Sequence, residues 1–236
     1  MNRYLPLLLV LIATALTTSP ALAREARWVG ETLEGRPCSD LLGALPRSNV
    51  FDYTNPSDRA NHLRIVEAAH FTDQVRQLRA GRHGGHPLND LEYTIGRFPN
   101  HHAALYAMIR YATETRFREE SARAWASATR DERERPPPEC YLQRAQDFAR
   151  DDAQVRALTG LYYHRVGRHD PARTAYEEAL ARTNAPAEIH YNYGLLLVDM
   201  GRYAEAREQA ELAYGLGYPL PGLRRQLAAA GHAIDD

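Results

Sequence analysis

Residues 160–179 read GLYYHRVGRHDPARTAYEEA, and residues 194–213 read GLLLVDMGRYAEAREQAELA. Laid over one another at an offset of 34, the two share Gly160/Gly194, Leu161/Leu195, Gly167/Gly201, Arg168/Arg202, Ala172/Ala206, Arg173/Arg207, Glu177/Glu211 and Ala179/Ala213. Eight identities fall in twenty positions, where composition alone gives about one or two. A recurrence at this interval marks stacked supersecondary units, each too small to bury its apolar face alone.

The residue types say how such a unit is built. Gly160 and Gly194 fall inside predicted helices, where glycine costs about 1 kcal/mol relative to alanine. That cost is reasonable where a second helix must come close. Ala172 and Ala206 offer the same small surface on the following helix, while Tyr163 and Leu197 supply bulk. Gly167 and Gly201 suit a C-terminal cap that needs positive φ. Asp170-Pro171 predicts the next helix start, with aspartate as cap and proline at the first helical position.

These positions resemble the tetratricopeptide repeat family, with units at 153–186 and 187–220. The resemblance implies an all-α fold: a short solenoid, a right-handed superhelix of helix-turn-helix units. Two places depart from the family pattern. Its early aromatic is replaced by Arg156 and His190, and its closing proline by Asn184 and Tyr218.

Working outward, His102 to Thr113 predicts a further first helix, with Leu105, Met108, Ile109 and Ala112 on one stripe. It lies 51 residues before Ala153, so a charged insertion at 116–135 is expected in a divergent helical region, 58–152. Residues 24–57 carry little periodicity and predict an extended N-terminal arm. Residues 221–236 predict a capping helix and tail, of the kind that shields the last apolar face of a solenoid. Phe51-Asp52-Tyr53, Val66 to Phe71, Phe98 to His101 and Gly217 to Leu223 also resemble a group of exported bacterial proteins with these repeats, a group that implies fold and compartment but no reaction.

Residues 1–23 predict a signal peptide. Arg3 precedes an apolar core from Leu5 to Leu16, and Ala21-Leu22-Ala23 forms a small-x-small cleavage site. The core is shorter than the roughly 20 apolar residues of a membrane span, so no stable membrane insertion is expected after cleavage behind Ala23. A periplasmic or secreted location follows, and in an oxidising compartment the pair Cys38 and Cys140 predicts a structural disulfide. The acid and base counts nearly cancel, 30 against 29, which argues against nucleic acid as a partner. Every one of those bases is arginine, as codon bias in a GC-rich bacterial genome would produce.

Little in the sequence calls for catalysis or a cofactor. His83, His86, His101 and His102 cluster within twenty residues, the weak candidates for a metal site and for a metal-dependent enzyme in this histidine-rich part. Yet no HExxH, nucleophile elbow or phosphate-binding loop occurs. Glu67 and His70, spaced i, i+3, lack the second copy that a di-iron site needs, and predict a structural contact. The tetratricopeptide resemblance instead implies a groove lined by the first helices, with Tyr106, Arg110, Gln154, Leu161, His164, Arg165, Tyr191, Asn192, Leu195, Asp199 and Arg225 facing it. Asn192 matches the side-chain amide that grips peptide backbone or carboxylate. Tyrosine, asparagine and arginine together suit a protein or extended peptide as partner, with polar contacts for direction and an aromatic face for area. The alternative is a structural subunit of an envelope complex.

Overall fold

The computed structural model describes residues 24–41, 48–114, 135–182 and 185–234. The signal segment, nearly all of the 116–135 insertion and Asn184 lie outside these residues. Helix α1 runs over residues 56–70, with a π-helical turn at Arg59–Leu63. There follow α2 (Asp73–Arg76), α3 (Pro87–Arg97), α4 (His102–Thr113), α5 (Pro138–Phe148), α6 (Ala153–Arg165), α7 (His169–Leu180), α8 (Ala187–Asp199), α9 (Tyr203–Gly215) and α10 (Gly222–Ala229). Among the described residues the fold is all-α, with one isolated bridge between Glu31 and Pro37. No described helix is long and apolar enough to cross a membrane.

The hairpins α6–α7 and α8–α9 are the two copies of the 34-residue unit. Gly167 and Gly201 stand at φ +74° and +72°, and this left-handed residue lets Arg168 N–H and Arg202 N–H reach back to the carbonyls of Tyr163 and Leu197, both at 2.8 Å. The reversal is tighter than the sequence suggested. The second helix already begins at His169, so Asp170 sits within its first turn and makes no capping bond. The glycines do bring helices together. A methyl on Gly160 would lie 2.9 Å from the ring of Tyr176, and one on Gly194 would collide with Leu223 on the capping helix. Ala172 and Ala206 are fully buried opposite. The residues that replace the early aromatic carry a polar bridge within each hairpin: Arg156 Nη1 donates to Glu178 at 2.6 Å, and His190 Nδ1 meets Gln209 Oε1 at 2.8 Å.

Two main apolar cores result. One joins the arm, α2 to α6 and the disulfide, and includes Trp28, Phe71, Leu91, Met108 and Tyr141. The other runs from α6 to the capping helix through Tyr176, Ile189, Leu197 and Leu223. The arm is irregular rather than simply extended, with a turn around Thr32–Arg36 and a 3-10 turn at Cys38–Asp40. Cys38 is bonded to Cys140 on α5, 102 residues away. Beside it, Leu33 N–H donates to Glu139 at 2.9 Å, Gln143 Nε2 to Glu31 O at 2.8 Å, and the buried Arg144 Nε to Ala26 O at 3.1 Å. Burial pushes the Arg144 guanidinium down to about 10, and carbonyls of Ala26 and Ile95 with the face of Trp28 surround it.

Candidate binding groove

Helices α4, α6 and α8 pack side by side in that order, and α10 follows against α8. Tyr106 on α4 is 40% exposed, a large aromatic left open on a helix that is otherwise well packed. Two guanidinium groups flank its ring, Arg110 at 5.9 Å and Arg165 from α6 at 5.7 Å. Their chemistry differs. Arg110 is neutralised by Glu114 one turn on. Arg165 is held by Thr113 Oγ1 at 3.3 Å and meets no carboxylate among the described residues. Its charge is therefore held in place next to an aromatic face.

Further along, His164 Nε2 lies 2.7 Å from Asp199 and ties α6 to α8. Leu161 and Leu195 are partly buried between the helices. Gln154 is partly buried at the start of α6. The Asn192 amide is half-buried and makes no hydrogen bond within the described residues, while Arg225 is exposed on α10.

Tyr191 differs from its expected place on an open wall. It is 7% exposed, tilted against Tyr218 with centroids 4.4 Å apart, and its hydroxyl faces the backbone N–H groups of Gly222 and Leu223. Burial raises its pKa. Tyr191 thus seats the capping helix. Tyr218 stands where the repeat pattern has proline, and that substitution was the sequence signal for a different closure. Thr113 and Glu114, which set the two arginines apart, carried no comparable signal.

The four histidines serve separate tasks. His83 is exposed in the turn of Gly81 to Gly85, at φ +54°. His86 caps α3 through Leu88 N–H and reaches Tyr111 with its other nitrogen. His101 caps α4, and His102 Nε2 pairs with Asp152 at 2.8 Å. Among the described residues no group of three or more His, Cys, Asp or Glu side chains is placed to hold a metal ion. Glu67 meets His101 rather than His70, and His70 pairs with Asp90 at 2.7 Å.

A row of first helices over a shared second layer, with polar and aromatic groups on the exposed row, defines a helical-hairpin repeat protein. Residues 187–216 match the tetratricopeptide repeat family; the match falls on α8, α9 and their turn, so this hairpin is a tetratricopeptide repeat. The solved structure of a thermophilic tetratricopeptide-repeat protein from Thermus thermophilus is similar at 22% identity, over 61% of this chain and 71% of that chain, with a TM-score of 0.43. No curated protein matches the chain.

Proposed function

We propose that this protein is an exported binding module that takes an extended peptide segment of a partner, one engaged in envelope assembly, across α4, α6, α8 and α10. Tetratricopeptide repeats are a protein-interaction scaffold, and the observation that carries the reading here is the exposed Tyr106 ring beside the Arg165 guanidinium, which meets no carboxylate among the described residues. An aromatic face supplies area at small entropic cost, and a fixed guanidinium supplies direction. The amide of Asn192 is available to a peptide backbone. Export is supported by residues 1–23 and by the buried cystine, which suits an oxidising compartment.

Selection from a random peptide library tests the groove. Peptides enriched on the wild type should lose about tenfold or more in affinity for Tyr106→Ala and for Arg165→Ala. Unchanged affinity in both variants would move binding to another face. N-terminal sequencing of the protein from its native host should begin at Arg24. A second reading, a structural subunit, is favoured by Leu212, Leu216 and Leu220, exposed along α9 and the segment after it; cross-linking through that face would separate it from peptide capture.

A further inference from the structure

We propose that His101 is an acid-released latch on the first turn of α4, the helix that carries Tyr106 and Arg110. Only its consequence for a ligand rests on the groove reading.

His101 is fully buried at the N-cap of α4. Its Nδ1 accepts the N–H of Ala104 at 3.2 Å, so that nitrogen carries no proton. The ring proton is then on Nε2, which donates to Glu67 Oε1 at 3.1 Å. Rings of Tyr53, Phe71 and Phe98 enclose the imidazole, with centroids at 4.4, 4.9 and 6.4 Å. A second proton can arrive only at Nδ1, where it would face the N–H of Ala104 and the positive end of the helix. The amide would keep only the His101 carbonyl, at 3.1 Å.

The surrounding charges are mixed. Glu67 on α1 favours the imidazolium, and Arg59 and Arg76 act on that carboxylate. His102 opposes it, itself paired with Asp152. The Tyr53 phenol lies beneath Arg59, and Asp52 is engaged by Asn100. Burial outweighs the attraction of Glu67 and holds His101 below the ordinary histidine value of 6.5. The folded state therefore binds this proton less readily than the unfolded chain. The stability that His101 contributes is complete above 6.5 and is lost as pH falls from there toward the depressed folded value.

The neighbouring Asn100 makes this point a junction. It accepts from Tyr53 N–H and donates to Asp52 and to Asp152, the cap of α6. Loosening the start of α4 thus weakens its ties to the 50–55 segment and to the cap of α6, while the Nε2 bond to Glu67 on α1 is kept.

Amide hydrogen exchange tests the latch. After correction for intrinsic rates, Ala104 and Leu105 should exchange about fivefold faster at about pH 5 than at about pH 7.5 in the wild type, the loss of one cap. His101→Asn, which caps without titrating, should show equal protection at both. Equal protection in the wild type, or an equal acid loss in the variant, would overturn the proposal. Should the variant not fold, imidazole nitrogen spectra of the wild type decide: an unprotonated Nδ1 at neutral pH that gains its proton as the Ala104 amide signal shifts is expected. Either a protonated Nδ1 at neutral pH or an unmoved Ala104 signal on protonation would exclude the latch.

Discussion

A methyl group on Gly160 would press on the ring of Tyr176, itself fully buried. Helix propensity alone would reward Gly160→Ala by about 1 kcal/mol, but overpacking a closed seam costs about 1–3 kcal/mol. The net expectation is destabilisation, read as a lower urea midpoint with unchanged slope. The Tyr176 hydroxyl is buried without a hydrogen-bond partner among the described residues. Its ring fills the space that Gly160 leaves. Tyr176→Phe should therefore be neutral or stabilising by up to about 1 kcal/mol, a result that the same urea experiment can contradict by showing a loss. At the groove, Arg165→Ala should cost binding without lowering the melting temperature, since its exposed cation is engaged by Thr113 and Tyr106 at the surface.

At the scale of elements, Leu223 and Leu227 anchor the capping helix in the second core. Leu223 is buried against Gly194, and Tyr191 supports the turn that delivers it. Leu223→Ala should cost about 2–4 kcal/mol and raise exchange in α8 and α10 before α6. The two repeat hairpins were legible from sequence because their identities sit where geometry allows few alternatives, such as the positive φ at Gly167 and Gly201. The start of α7 was misread because Asp170-Pro171 mimics a cap, whereas the tight glycine reversal brings the chain into helix at His169. Tyr191 looked like groove wall because a single unit does not reveal what the next helix covers. The pairing of Glu67 with His101 lay beyond reach for a similar reason. A spacing of i, i+3 pointed to His70, while the partner that won stands on another helix.

Across the whole molecule, the two main cores meet in α6, and the cystine belongs to only one of them. Replacing both cysteines by serine should cost up to about 4–5 kcal/mol in the chain-entropy picture. The loss should fall on the arm and on α3 to α5, with α8 and α9 retaining their hydrogen-exchange protection. A uniform loss of protection along the chain would show instead that the stack unfolds as one cooperative body.

The bond from Cys38 to Cys140 also turns the intervening polypeptide into a closed ring. A single backbone cut between those two residues cannot divide the molecule. The two pieces would migrate as one on a non-reducing gel and part only after thiol treatment, so a nicked protein could persist in an oxidising space with its arm still attached to the stack.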